Sequence, residues 1–235
     1  MPNNELELED YPKLECPFVR ETFEICKDDL NENGRAANIR HKRVYLVTPK
    51  IRPGYEWVFE DTDTIAIEKL DGTNVKVRTE DGYIRQIQNR KNIIHLLKIK
   101  PYHPYIMEGI HNAIRKGYVQ DDGVVAGELV GPKLQGNPYL LDRHIWHPFG
   151  ESERQLSYHS FRKHEITYEN LRAWFRDSLR SRFYMKAHKV DYEESVFAEG
   201  VIFYNRARKA QSKVYRAKLR RDMFDWYYSD AVEVA

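Results

Sequence analysis

Short apolar runs broken by turn residues recur along this chain, and they bound its fold more tightly than any other feature. Val75 and Val77, then Asp81-Gly82, then Ile84 and Ile87 form the pattern of a two-stranded hairpin. Ile65-Ala66-Ile67 precedes it as another strand. Val124 to Val130 follows as a strand interrupted by one acid, Glu128, and Val201-Ile202-Phe203-Tyr204 reads as a buried strand. Residues 205–212 read as a polar turn and Lys213 to Leu219 as a returning strand. Its alternation puts Ala217 and Leu219 on one face and Arg216, Lys218 and Arg220 on the other. Ile106, Ile110, Ala113 and Ile114 mark an amphipathic helix ending near Gly117. A second helix starts at the cap candidate Thr167 and runs past Leu171, Trp174, Phe175 and Leu179. Many short strands with dispersed helices predict an α+β fold of antiparallel sheets flanked by helices. Neither a Gly-rich dinucleotide fingerprint nor a Walker loop is present, which argues against a doubly wound nucleotide fold.

A chain of 235 residues can enclose one large core or two small ones. No apolar run approaches membrane-spanning length, and Met1-Pro2-Asn3-Asn4-Glu5 lacks the regions of a signal peptide. Cys16 and Cys26 show neither metal-ligand nor redox spacing, so a reduced, cytoplasmic setting without a membrane partner is expected. The net charge of +2 excludes little, but its distribution is uneven. Glu5 to Asp10 is acidic, whereas Arg206, Arg208, Lys209, Lys213, Arg216, Lys218, Arg220 and Arg221 follow one another with no carboxylate between them. Such a run by itself is usually a solvated face. Three cations on one strand face would instead make a phosphate-binding wall.

Lys69-Leu70-Asp71-Gly72-Thr73-Asn74 puts a lysine at a strand end, two residues before an Asp-Gly turn. A rigid mounting suits a nucleophilic amine, which attacks only when its charge is suppressed, and glycine permits close approach of a ligand. Asp-Gly alone is more often a plain hairpin turn. Two acids sit where apolar strands do not favour them: Glu128 within its strand and Glu199 just before Gly200. Each could face solvent at a strand end; alternatively they hold a divalent cation through oxygen ligands suited to magnesium. A metal and nearby cations would favour the free amine of the lysine.

The segment 69–74 resembles the first motif of the covalent nucleotidyltransferases: the RNA ligases, DNA ligases and messenger-RNA capping enzymes. Further segments follow in that family's order. Asn89-Arg90-Lys91-Asn92 resembles the short motif whose arginine contacts the nucleotide, and Gly127-Glu128-Leu129-Val130-Gly131 the glutamate motif that binds ribose. Glu199-Gly200-Val201-Ile202-Phe203 resembles the acidic, metal-engaging motif, and Ala217-Lys218-Leu219-Arg220-Arg221-Asp222 the last motif, whose cations hold the α-phosphate. The match spans residues 65–222. Asn74 stands where DNA ligases and capping enzymes usually carry arginine, and so resembles the RNA ligases. The approach segments Tyr11-Pro12-Lys13 through Pro53 to Phe59, and Gly131 to Pro138, are similar to RNA ligase sequences too.

The resemblance implies a nucleotidyltransferase (ATP-grasp-like) catalytic domain over residues 61–235. Residues 1–60 would form a segment packed on or leading into it, with no separate C-terminal domain. It implies an ATP-dependent RNA ligase using Mg2+ or Mn2+, joining RNA 5′-phosphate and 3′-OH ends in RNA repair through a lysyl-adenylate. An end-healing kinase or phosphatase is a candidate partner. Lys69 would be the nucleophile, with Lys218 and Arg220 on the phosphate and Arg90 on ribose or phosphate. Glu128 would bind the ribose hydroxyl, and Glu199 and Asp71 the metal or its waters. Gly72 and Asn74 would line the nucleotide, and an aromatic from His144 to Phe149, Phe149 before Trp146, would stack on adenine. In the last motif Arg220 stands where a second lysine is common, which preserves charge but not geometry. The rivals are a DNA ligase, a guanylyltransferase, or a nucleotide- or RNA-end-binding protein without turnover.

Other features have plainer readings. His144 and His147 have a spacing seen in metal sites, but no cysteine or third histidine lies near them in sequence. Trp174 and Phe175 are expected in the core. The stretch from Pro148 to Ile166, containing Glu151-Ser152-Glu153-Arg154, matches no motif and is expected to be a surface loop.

Overall fold

The computed structural model describes residue 8 and residues 13–36, 43–95, 100–159, 161–162, 165–205, 207–210 and 215–229. The remainder of the acidic start, Tyr11-Pro12, Arg206 and Lys213 lie outside the described residues. In chain order the elements are β1 (Phe18–Glu24), α1 (Glu32–Ala36), β2 (Arg43–Ile51), α2 (Trp57–Glu60), β3 (Thr64–Lys69), β4 (Thr73–Glu80), β5 (Tyr83–Asn89) and β6 (Asn92–Ile93). There follow α3 (His103–Arg115), β7 (Gly123–Val130), β8 (Ile145–Pro148), α4 (Phe149–Gln155), α5 (Tyr168–Asp177), α6 (Arg182–His188), β9 (Gly200–Asn205) and β10 (Arg216–Arg220). The fold is α+β with antiparallel sheets flanked by helices. No helix among the described residues is long and apolar enough to cross a membrane.

The chain divides into two compact units. The first, built from Leu70–Leu156 and Phe183–Val190 together with Leu8 and Lys13, carries the sheet β6-β5-β4-β7-β8. Its hairpin β4–β5 turns through Asp81 and Gly82, both at positive φ, as the Asp-Gly pair requires. Val75, Val77, Ile87 and Leu129 line one sheet face, and Ile106, Ile110 and Ala113 of α3 cover it; the helix ends at Gly117 with φ of 71°. Trp146 belongs to this core, 1% exposed, with its indole N–H donating to the Val75 carbonyl.

The second unit, Leu14–Lys69, Ser157–Arg182 and the chain from Asp191 onward, carries the sheet β10-β9-β3 and the pair β1–β2. Ala66, Val201, Phe203, Ala217 and Leu219 point into its core with Phe175 and Leu179 of α5 and its C-terminal flank. The α5 N-terminus is capped by the Thr167 hydroxyl, which accepts from the Asn170 amide at 3.2 Å. Trp174 and Phe175 are both part of this packing.

The expected surface loop after Pro148 is corrected by the structure. Residues 149–155 form α4, Leu156 is fully buried, Ser157 bridges to Ile67, and the Tyr158 amide donates to the Ala66 carbonyl at 2.8 Å. The charges of the run Glu151 to Arg154 concealed the helix because they read as solvent-facing, yet only Arg154 is exposed; Glu151 and Glu153 are half-buried, and Ser152 and Leu156, one turn apart, face inward. Cys16 and Cys26 are free thiols, and burial pushes Cys16 up to about 11, so it stays a packed, unreactive group.

Candidate active site

In the second unit, Lys69 ends β3, directly opposite Gly200 of β9, and Gly200 lies opposite Arg220 of β10. Residues in register across neighbouring strands point to the same face, so Lys69 and Arg220 flank a position that has no side chain. The next row on this face holds Ile67, Ile202 and Lys218, and the one after it Ile65, Tyr204 and Arg216. The opposite face carries Ala66, Val201, Phe203, Ala217 and Leu219 with three buried polar residues, the paired Thr64 and Asn205 and also Glu68, which is 2% exposed and accepts a hydrogen bond from the Ser181 hydroxyl at 2.6 Å. The alternation expected of the returning strand is therefore present: Ala217 and Leu219 are fully buried and the three cations share the other side. Gly200 is small for a local reason. A Cβ there would lie 2.2 Å from the Leu219 carbonyl oxygen.

Charge is concentrated around that glycine. Lys69 Nζ is 2.5 Å from Glu199 Oε2, and Arg220 Nη1 is 3.8 Å from Glu199 Oε1. Arg220 Nε is in turn 3.0 Å from Asp222 Oδ1, an ion pair whose angle falls outside hydrogen-bond geometry. Lys69 and Glu199 are only 22% and 18% exposed, so water screens their interaction weakly. Burial holds the Asp222 carboxyl above the usual carboxylate range, opposed in part by Arg220, Lys69 and Lys218. Arg216 is engaged elsewhere, its guanidinium 5.2 Å from the Tyr204 ring centre. Glu68 and Asp222 were not singled out as site residues from sequence. The mark for Asp222 was a carboxylate directly behind the basic run; Glu68 carried none, because its partner Ser181 is distant in sequence.

In the first unit, the turn after Lys69 is held by its own contacts. The Asp71 amide donates to the Tyr139 hydroxyl at 2.8 Å, and the Gly72 carbonyl accepts from the Gln135 side chain at 3.3 Å. A Cβ on Gly72 would meet the Leu129 carbonyl oxygen at 2.2 Å, so the close packing of β7 requires this glycine whatever a ligand requires. Asn74 of β4 stands opposite Glu128 of β7, which stands opposite His147 of β8. The Arg90 amide donates to the Asn74 carbonyl at 3.1 Å and brings the arginine backbone to the same level of the sheet. Arg90 has φ of 51°, a left-handed conformation costly for a side-chain-bearing residue and frequent at functional sites. Asn74 Oδ1 is buried without a hydrogen-bond partner, an acceptor position that a bound donor would satisfy. Phe149 is half-buried at the start of α4, whereas Trp146 is core. His144 is committed within the protein: its Nδ1 lies 2.6 Å from Glu108 and its ring stacks on Tyr105.

No protein-family model and no curated protein matches the chain. Solved structures do. A Naegleria gruberi RNA ligase mutant with ATP and Mn is 16% identical, with a TM-score of 0.46 over 70% of this chain and 50% of that one. The same ligase with PPi gives 17% identity and a TM-score of 0.44 over 69% and 51%. A further mutant with AMP and Mn gives 17% and 0.45 over 91% and 61%. This chain thus spans about half to three-fifths of those ligase chains. Likenesses this distant assign no activity, and the functional reading rests on the residues themselves.

Those residues suit a phosphate ester and a hard cation. Lys218 and Arg220 supply positive charge on one strand face. Glu199 accepts a hydrogen bond from Lys69 on one oxygen and forms a longer ion pair with Arg220 on the other. Among the described residues no group of three or more ligating side chains forms a metal cage. Glu199 offers carboxylate oxygen, the donor type that magnesium prefers.

Proposed function

We propose that this chain is an RNA ligase-like covalent nucleotidyltransferase that joins RNA ends with ATP. The observation that carries the reading is the amine of Lys69 at a strand end, paired with Glu199 beside Arg220 and Asp222, in a chain whose motif segments follow the family's order. Such a charge cluster is expensive to assemble for packing alone, and its nucleophile has no role in a pure binding module.

In the proposed reaction Lys69 Nζ bonds to the α-phosphorus of ATP, the bond from that phosphorus to the bridging oxygen breaks, and pyrophosphate leaves. The amine releases its protons and remains as a phosphoramidate. The AMP then passes to the 5′-phosphate of an RNA, freeing Lys69, and a 3′-hydroxyl displaces AMP to seal the strand. Each transition state spreads negative charge over phosphate oxygens, so Lys218 and Arg220 stabilise it electrostatically. Glu128 and Arg90 orient the ribose, Gly72 and Asn74 line the nucleotide, and Phe149 covers the adenine. Glu199 would hold a magnesium or manganese ion, with Asp71 a second candidate ligand by the motif it belongs to, and such an ion supplies further neutralisation of phosphate charge when bound. Because Glu199 also holds the Lys69 amine, that pairing must open before attack.

The test is incubation with α-labelled ATP or GTP and magnesium, then denaturing electrophoresis, for the wild type and Lys69→Ala. ATP label that survives denaturation and vanishes in the variant is the expected result. Label from GTP would turn the reading towards a guanylyltransferase. No label on folded, initially unadenylated protein would sink the enzyme reading and favour an end-binding protein.

A further inference from the structure

A groove in the first unit follows the outer edge of its five-stranded sheet, where β8 is the last strand, between α3 and α6. Its outer part, about 530 Å3, is lined by Lys116, Lys186 and Arg143 against a single acid, Asp142. Arg143 and Asp142 pair with each other at 3.0 Å, so the lining keeps the charge of its two lysines. The inner part, about 240 Å3, is lined by the half-buried Tyr118, by the buried rings of Trp146 and Phe183, and by polar groups from Asn112, His147 and Gln155. Both parts share Asn112, Lys116, Ile145, Lys186 and Ala187, so they adjoin along one wall.

Two features point to a ligand. His147 is 5% exposed and its Nε2 has no hydrogen-bond partner, in a pocket equal to about eight waters at ~30 Å3 each. The lining mixes apolar side chains with a few placed polar groups, Asn112, His147 and Gln155, as is usual in a small-molecule subsite. The lysines stand at the mouth, both exposed, where an anion entering from solvent would meet them.

We propose that this groove grips one unstacked nucleotide of single-stranded RNA, with its phosphate between Lys116 and Lys186 and its base in the aromatic inner pocket. The inference rests on the ligase reading and adds to it a polynucleotide grip whose lysines are separate from the nucleotidyl-transfer residues. Lysines supply sequence-independent phosphate affinity, and the half-buried Tyr118 ring offers a stacking face that accepts any base. The His147 ring nitrogen gains its missing partner from the base edge. An acidic protein segment would use the lysines but not the aromatic pocket.

The experiment measures binding of a 5′-phosphorylated single-stranded oligoribonucleotide by fluorescence anisotropy across a salt series. It compares the wild type with Lys116→Gln/Lys186→Gln and with the single charge reversal Lys186→Glu, and ATP labelling of Lys69 runs in parallel. The expected result is at least a tenfold weaker Kd, a log–log salt slope shallower by roughly 0.7 for each phosphate no longer neutralised, and unchanged labelling. Unchanged RNA affinity and slope in both variants would overturn the groove while leaving the ligase reading intact. RNA binding that weakens in the variants when the wild type takes no ATP label would keep the groove and remove the ligase. A wild type that binds no RNA, or polyglutamate competing as well as the RNA, would overturn the nucleotide assignment.

Discussion

Lys69 and Glu199 are 130 positions apart in the chain, yet Nζ and Oε2 meet at 2.5 Å. The contact follows from sheet register. Lys69 is paired with Gly200, and Glu199 is the residue just before it, so the two side chains converge at one end of the strand pair. Glu199 thereby holds the amine in a salt bridge, and its second oxygen faces Arg220.

Glu199→Gln keeps a hydrogen-bonding group of nearly the same shape but removes the charge. If Glu199 supports metal-assisted transfer, ATP self-labelling of Lys69 should slow by about 100-fold or more, in the range seen when one electrostatic stabiliser of a transition state is removed. Single-turnover labelling rates measure it, and a rate equal to wild type would remove Glu199 from the chemistry.

Glu128 is proposed to bind the ribose, and this can be isolated from other effects of substitution. A hydrogen bond to a charged group is worth about 1.5–3 kcal/mol, so replacing ATP by 2′-deoxy-ATP should cost the wild type about tenfold or more in kcat/KM. In Glu128→Ala the two nucleotides should perform alike. Equal additional losses from both changes would place the 2′-hydroxyl elsewhere.

Gly200→Ala should destabilise the protein by about 1–3 kcal/mol, because its Cβ would fall against the Leu219 carbonyl oxygen at 2.2 Å and the Arg220 Cα at 2.7 Å. Gly150→Ala is the control. Nothing lies within 4 Å of its Cβ position in α4, and alanine favours helix, so it should be neutral or stabilising by up to about 1 kcal/mol. Urea unfolding of both variants distinguishes local crowding from a general intolerance of change.

Burial holds the His147 imidazole down at about 4, against about 6.5 in an unfolded chain. The unfolded state then accepts a proton that the native state refuses. The resulting stability is fully present above pH 6.5 and is lost as the pH falls through about 4, a difference of about 3 kcal/mol. His147→Gln should flatten this part of the stability profile between pH 7 and 4. An identical slope in the variant would mean that other groups cause it.

The hairpin β4–β5, the helix α3 with its glycine end, the Thr167 cap and the strands β7 and β9 were all legible in the sequence, because each is specified by residues within one or two turns of itself. The helix α4 was not. Its polar run masked an inward pair, Ser152 and Leu156, whose burial depends on chain from elsewhere in the fold. Among the aromatic candidates, periodicity could not separate Trp146 from Phe149; packing against Val75 and α3 made Trp146 core.

Side-chain alternation and turn chemistry act over a few residues, so the sequence by itself determined the α+β class and the division of β10 into an apolar and a cationic face. The order β10-β9-β3, the opposition of Asn74 to Glu128, the orphaned Asn74 oxygen and the capture of Lys69 by Glu199 were decided only by tertiary structure. They depend on which strands pair and in which register, and register is chosen by the burial of whole sheet faces, a long-range balance that no local stretch of sequence encodes.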